Sequence, residues 1–360
     1  PSLAKDLRPE AISVQKARFA AQKDISAGNY VPYFKPEERF DVNPANYPDY
    51  VPTTSILKKK ADTQAKYDAL ANSPEATSRL DEAYIRGLRQ KQDAENWYFM
   101  GQLEKEFIKE YGPELGPEMF KQRFADPMAA TTGGADPTSN LMMAHYGNYL
   151  HEKGLPVPEN AYDYPFPVGG RYASGNMEQY RKMIMEGQGI THDNPKRYNF
   201  AYDFMGHKGP TIDEQMSQMF DPKMNMPPAG TYGHYENALL NRAENAGVDP
   251  RYFQEVAWAG KKDADTKGGF KAQPMIGIVN EAIERTHRIT GMPKDEIVRR
   301  GLVRAEIPLY GAAGATAAGA IAPEMMQEQP MPVEEASAVE ERKRGGSVVD
   351  HALMLVSKQA

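Results

Sequence analysis

The chain of 360 residues contains no cysteine and two tryptophans. The missing thiol excludes disulfides, thiolate zinc sites, iron–sulfur clusters and a cysteine nucleophile, and removes the usual mark of a small secreted scaffold. An excess of basic charge is also lacking. Forty-three Lys and Arg stand against 49 Asp and Glu, a formal charge of −6, so the protein does not coat nucleic acid or anionic membrane through net charge, and any such contact is local. No run is both long and apolar enough to be a convincing membrane span. The nearest approach, Ile307 to Ala322 (IPLYGAAGATAAGAIA), falls short of the roughly 17 to 25 residues a span needs, and its glycines weaken insertion. Alternating β-branched runs are absent, and so are two catalytic signatures. Gly133-Gly134 is not followed by Lys-Ser/Thr, Gly169-Gly170 does not join a strand to a helix, and there is no GxSxG elbow for serine hydrolysis. Pro1 to Asp6 mixes both charges without an apolar core, which reads as neither signal peptide nor anchor and predicts a cytoplasmic start.

What is present is helical pattern interrupted by proline. Twenty-eight prolines and 30 glycines cut the chain into segments, and the fold class they predict is all-α, with an extended N-terminal arm and a flexible C-terminal tail. Residues 1–72 form an N-terminal segment holding a Pro/Tyr-rich arm from Tyr30 to Pro52. Its prolines enforce extended backbone, and Tyr30, Tyr33, Phe34, Tyr47 and Tyr50 supply anchors. Two readings stand for it: a loop packed on its own domain, or an arm clasping a neighbouring subunit. A helical core spans 73–260. Ser73-Pro74 opens a long helical stretch carrying Leu80, Tyr84, Leu88, Trp97, Met100, Phe107 and Tyr111, which Gly112-Pro113 and Gly116-Pro117 terminate before a turn at Asp126-Pro127. Leu141 to Leu150 predicts a buried helix, with His145 and His151 on its surface or at its end. Short helices follow at about 177–186, 195–205, 211–220, 232–246 and 250–259.

Residues 261–306 read as amphipathic helices, with ten basic and six acidic side chains from Lys261 to Arg304. This is either a basic face or a helix surface with ordinary ion pairing. In 307–322 small residues recur at four-residue spacing (Gly311, Ala315, Gly319), which suits close helix packing and also admits membrane insertion. Residues 323–346 have the acidic, Pro/Met/Glu-rich composition of a disordered linker, and 347–360 (SVVDHALMLVSKQA) form a capped apolar helix suited to docking.

Candidate chemistry concentrates in three segments: MAATTGGADPTSNLMMAHYGNYL, HDNPKRYNFAYDFMG and PTIDEQMSQMF. His192, Asp193 and His207 lack the spacing of metal ligands, and no metal or cofactor is expected. From about 125 to 260 these segments resemble the helix-hairpin-helix DNA glycosylase superfamily. The resemblance places Lys196 at the family's hairpin lysine and Asp213, in Thr211-Ile212-Asp213-Glu214, at its catalytic aspartate. An amine of lowered pKa there would attack the sugar of an extruded nucleotide, and the carboxylate would stabilise the charge that develops. The sequence departs from the family pattern. His192-Asp193-Asn194-Pro195 replaces the Gly-rich turn that presents backbone donors to phosphate, Glu214-Gln215 replaces Thr-His, and the cysteine cluster of some members is absent. A structural reading therefore stands beside the catalytic one: Asp213 as a helix cap and Lys196 as an exposed surface residue. Arg197 and Asn199 next to Lys196, and Gln254 and Trp258 at i and i+4, complete the candidate binding residues.

The whole layout, with GVDPRYFQEVAW and the terminal RKRGGSVVDHALMLV, also resembles uncharacterised proteins of tailed bacteriophages and prophages. That resemblance implies a virion-associated structural or internal, genome-delivery protein, present in the host cytoplasm during assembly. Other virion subunits would be bound through the arm and the C-terminal helix, with DNA as a further partner and membrane contact confined to 307–322. The alternatives are a DNA N-glycosylase or abasic lyase and a non-catalytic DNA-binding accessory protein.

Overall fold

The computed structural model describes residues 20–35, 61–90, 94, 97–132, 136–159, 174–207 and 209–310, with the backbone alone at 174–177. The fold is all-α. In chain order the helices are α1 (Ala61–Ala71), α2 (Pro74–Gly87), α3 (Gly101–Phe120), α4 (Asp126–Thr131), α5 (Pro137–Glu152), α6 (Ser174–Glu186), α7 (Pro195–Phe204), α8 (Glu214–Phe220), α9 (Tyr232–Ala246), α10 (Pro250–Asp265), α11 (Met275–Thr290) and α12 (Lys294–Glu296), which continues as a π-helical segment over Ile297–Val303.

Four helices share one start. Ser73, Asp136, Asn194 and Asp249 each cap a helix whose first residue is proline, and their side chains accept from backbone N–H groups at Ala76, Thr138 and Ser139, Arg197, and Arg251 and Tyr252 respectively. The polar cap satisfies donors that the first turn leaves free, and proline there forfeits a donor that had no partner.

The long helix expected from Ser73-Pro74 onward is broken in two. After a 3₁₀ turn at Leu88–Gln90, residues 97–100 run without helix, and Trp97, Tyr98, Phe99 and Met100 are all buried. Four consecutive buried apolar residues cannot sit on one helical stripe. Backbone bonds from Met100 N to Phe204 O (3.1 Å) and from Met275 N to Trp97 O (2.9 Å) tie the segment to its neighbours instead. Gly112-Pro113 does break the helix, as expected, although helix returns at once and α3 spans the break, whereas Gly116-Pro117 lies inside helix and ends nothing. Gly112 takes φ 88°, ψ 167° inside the element, a conformation open to glycine at no steric cost, and helix resumes at Pro113. A π-helical turn at Lys121–Ala125 leads straight into α4, so Asp126-Pro127 lies within helix rather than at a turn. Helix α10 runs on to Asp265, past the expected end at 259, with Lys261 and Asp265 paired at 2.6 Å in its last turn.

Two large apolar clusters result. One gathers residues 97–100, α3 to α7, α11 and α12; the other gathers α1, α2 and α8 to α10, and Trp258 packs against both. Helices α11 and α12 bury Ile276, Val279, Ile283, Ile297 and Val298 in the first cluster. Their cations meet neighbouring carboxylates, as in Arg285–Glu281 (2.6 Å), Lys294–Glu284 (2.5 Å) and Arg300–Glu296 (3.2 Å); the last is an ordinary helix-surface pair, whereas Arg285 and Glu284 are themselves buried.

Residues 20–35 lie on this body as a strap, so the described part of the arm, through Lys35, packs on its own chain. Ala21, Ile25 and Phe34 are buried there. At the other end His145 is buried in α5, not on the helix surface, and its Nε2 lies 3.0 Å from the carbonyl of Ile307. Leu309 and Tyr310 are buried as well. The arm beyond Lys35, the small-residue repeat, the linker and the terminal helix fall outside the described residues, as does the Pro/Gly/aromatic loop read from Tyr162 to Asn176 apart from its last three residues, which already belong to α6. No helix among the described residues is long and apolar enough to cross a membrane.

Candidate functional site

Helix α7 begins at the turn His192-Asp193-Asn194-Pro195. Asn194 accepts from Arg197 N at 3.4 Å, and the exposed His192 ring stacks on Tyr198 with centroids 3.7 Å apart. Beside this turn lies a cavity of about 240 Å³. Its walls are His192 to Lys196 on one side and Met226 to Gly230, with Tyr232, on the other.

Lys196 is half-buried, where the sequence reads it as an exposed surface residue. Burial lowers the pKa of its amine. The carboxylate of Asp213 opposes that shift through space and the guanidinium of Arg197 adds to it. Lys196 and Asp213 are therefore neighbours in the fold, brought together because the loop before α8 folds back along α7. Asn199 Nδ2 donates to Pro210 O (2.9 Å) and to Glu236 Oε1 (2.8 Å), Tyr232 Oη accepts from Ile212 N (2.9 Å) and donates to Pro210 O (3.3 Å), and Thr211 Oγ1 donates to Asp203 Oδ2 (2.7 Å).

Asp213 caps α8. Its Oδ1 accepts from Met216 N at 2.8 Å, and its Oδ2 accepts from the indole N–H of Trp258 at 3.3 Å. Both carboxylate oxygens are thus engaged within the chain. Trp258 stands at the seam of the two clusters, its ring 5.5 Å from that of Trp97. Gln254, one turn earlier on α10, is fully buried. Its carboxamide faces the Tyr98 hydroxyl, and neither of its polar atoms reaches full hydrogen-bond geometry. Arg197 and Asn199 are also buried, Arg197 bonding to Gln179. Of the candidate catalytic pair Lys196 alone lines the cavity, and none of the expected binding residues Arg197, Asn199, Gln254 and Trp258 does.

Behind Asp213 lies a buried polar group that the sequence reading missed. Asp203 is fully buried, and burial raises its carboxyl pKa well above the ordinary range, against the pull of the Thr211 hydrogen bond and of Arg251. Arg251 is 3.8 Å from Glu255 and its guanidinium lies 5.9 Å over the Phe99 ring. Glu255 accepts from Tyr98 N at 3.3 Å. Tyr98 is held well above the ordinary tyrosine pKa by burial and by the carboxylates of Asp213, Asp203 and Glu255. His207 is held down at about 4, first by burial and then by Arg251. One signal for this group stood in the sequence: Asn199 and Asp203, one turn apart in NFAYD, place two polar side chains on the apolar stripe of a short helix.

Among the described residues no three His, Asp or Glu side chains converge to hold a metal. No protein-family profile matches the chain, and no curated protein or solved structure shows significant similarity to it.

Proposed function

We propose that the chain is a non-enzymatic component of a bacteriophage particle, an internal or genome-delivery protein built on a helical scaffold whose reactive pair serves structure. The observation that carries this reading is the engagement of Asp213. One oxygen caps α8 and the other holds the Trp258 indole at the seam of the two cores, so the carboxylate has a structural use that needs no substrate. The α7 turn adds to it, because Asp193 and Pro195 stand where phosphate recognition calls for backbone donors. So does chain length, since beyond the described body the sequence holds 19 residues before the strap, 25 at 36–60 and 50 after Tyr310. Mass spectrometry of purified particles tests the proposal. Stoichiometric presence supports it and absence removes it.

A second reading rests on Lys196. An amine of lowered pKa on a cavity wall beside a carboxylate is the arrangement a DNA glycosylase or abasic lyase needs. Borohydride trapping on abasic duplex would favour this reading. Steeply salt-dependent DNA binding without trapping would favour an accessory DNA-binding role.

A further inference from the structure

The strap at residues 20–35 meets the body as a peptide meets a groove. Helix α11 supplies most of the grip. Asn280 brackets Phe34, its Oδ1 accepting from Phe34 N at 2.9 Å and its Nδ2 donating to Phe34 O at 2.8 Å. Arg285 Nε donates to Gln22 Oε1 at 3.1 Å, and Arg288 pairs with Asp24 and donates to Asn29 O at 3.0 Å. Beyond α11, Lys294 Nζ donates to Val31 O at 2.6 Å and Gln102 Nε2 to Lys35 O at 2.9 Å. Five of these bonds engage strap backbone, and the buried apolar side chains of the strap are Ala21, Ile25 and Phe34. A helical turn at 20–26 held through its side chains, then a non-helical stretch held by side-chain bonds to its backbone and by one deep aromatic anchor, form a recognition mode that does not require the peptide to belong to the same chain.

The connection to the rest of the chain leaves that choice open. Twenty-five residues, 36–60, separate the strap from α1. Fully extended they reach at most about 80–90 Å. A folded body of some 250 residues has a radius of gyration of about 18 Å, so the strap can seat on its own body or on one touching it. The contacts are the same in both cases, and exchange of an identical element between copies therefore loses none of them.

We propose that the α11 groove is a subunit-clasping site whose partner is the strap of a second copy of this chain. The strap seats on its own body when copies are dilute and exchanges between bodies when they are concentrated. The partner's identity deepens the assembly role proposed above and rests on it. The internal seat competes with exchange by mass action, so exchange rises as neighbouring copies are concentrated, as they are in an assembly.

The absence of native cysteine makes a direct test clean. Two full-length variants, Asp24→Cys and Arg288→Cys, are mixed at concentrations from micromolar to millimolar and treated with a short bis-maleimide, so that any covalent Asp24→Cys to Arg288→Cys adduct joins two chains. The doubly substituted chain reports the seat within one molecule. Expected are an internal link in the double variant and, in the mixture, an interchain adduct that rises with concentration and drops at least tenfold when the Asp24→Cys chain also carries Phe34→Ala. An adduct indifferent to Phe34→Ala is collisional and overturns the proposal. So does an internal link without any interchain adduct at millimolar concentration, and so does failure of the double variant to link internally, which would deny the groove itself. Absence of the protein from particles would defeat the assembly role while leaving these cross-linking outcomes as they stand.

Discussion

Gly87 of α2 and Gly260 of α10 face each other where the two helices cross. A Cβ at Gly260 would lie 1.8 Å from the carbonyl oxygen of Ala83 and 2.6 Å from Gly87 N, and a Cβ at Gly87 would lie 1.8 Å from the carbonyl oxygen of Val256. The obstacles are backbone atoms, which cannot swing aside as a side chain can. This close approach brings Phe253 and Ala257 of α10 against Leu80 and Ala83 of α2 in one cluster, and it fixes the height at which Trp258 meets Asp213.

Substitution at this crossing is therefore expected to be costly. Gly260→Ala and Gly87→Ala should each destabilise by about 1–3 kcal/mol or more, the range for overpacking a tight core, with thermal midpoints lower by roughly 2–4 °C for each kcal/mol. Gly277→Ala is the control. It lies inside α11, and its Cβ would come no closer than 3.5 Å to the flexible Gln273 side chain, so relief of glycine's entropy should stabilise by up to about 1 kcal/mol. Equal effects at all three sites in a thermal melt would contradict the packing argument.

His145 gives the fold a pH dependence of definite sign. Burial holds its imidazole at about 4 in the folded chain against 6.5 when unfolded, and the bond to the Ile307 carbonyl offsets only part of that shift. Between these values the unfolded chain binds the extra proton. The stabilisation is therefore complete above pH 6.5 and is lost as pH falls toward 4, by up to about 3 kcal/mol. Replacing His145 with Gln keeps a donor for Ile307 and removes the titration. Urea midpoints at pH 7 and pH 4.5 should converge in His145→Gln compared with the parent chain, and unchanged divergence would count against this account.

Asp203 works in the opposite direction. Its folded pKa is raised by burial, so its favourable, protonated state is fully present at low pH and is lost as pH rises through the folded value. Asp203→Asn keeps an acceptor for Thr211 and carries no charge. The variant should gain stability over the parent at pH 8 and show no gain at pH 4, read from denaturant midpoints at both pH values. A loss at pH 8 would mean that the buried carboxylate is ionised and held by Arg251.

The parts of the fold that could be read in the sequence are those governed by local chemistry. Proline after a polar cap marks true helix starts at Ser73 and Asn194, and Gly291 ends α11 in the left-handed region at φ 72° because glycine alone adopts it without cost. The misread places are those where tertiary packing overrides local signals. WYFM at 97–100 has helical spacing with its neighbours yet leaves the helix, because its backbone bonds instead to Phe204 and Met275. Asp126-Pro127 looks like a turn but lies within helix. Lys196 and Asp213 could be picked out as candidates, and that they are neighbours follows from the loop clamped by Asn199 and Tyr232. Of the carboxylates behind them, Asp203 left one local signal, its spacing from Asn199 on the apolar stripe of α7, whereas nothing local distinguishes Glu255 from a solvated helix residue until α7 and α10 are packed together.

The pair at the candidate site separates a structural role from a catalytic one. If Asp213 serves as a cap and as an anchor for Trp258, Asp213→Asn should keep most of the stability, because asparagine caps about as well as aspartate, whereas Asp213→Ala should lose about 1 kcal/mol from the cap alone. Lys196→Met removes an amine whose charge is disfavoured by burial and keeps the aliphatic stem, so it should hold or raise the thermal midpoint. On the structural reading neither change alters any covalent chemistry, and incubation with duplex bearing abasic sites under borohydride leaves the parent chain unmodified. Catalysis predicts the reverse on every count: a trapped adduct in the parent, its disappearance in Lys196→Met with stability intact, and a weaker yield in Asp213→Asn despite an intact cap. Because the Asn variant preserves the cap and removes the charge, adduct yield and melting midpoint measured on the same sample tell the two roles apart.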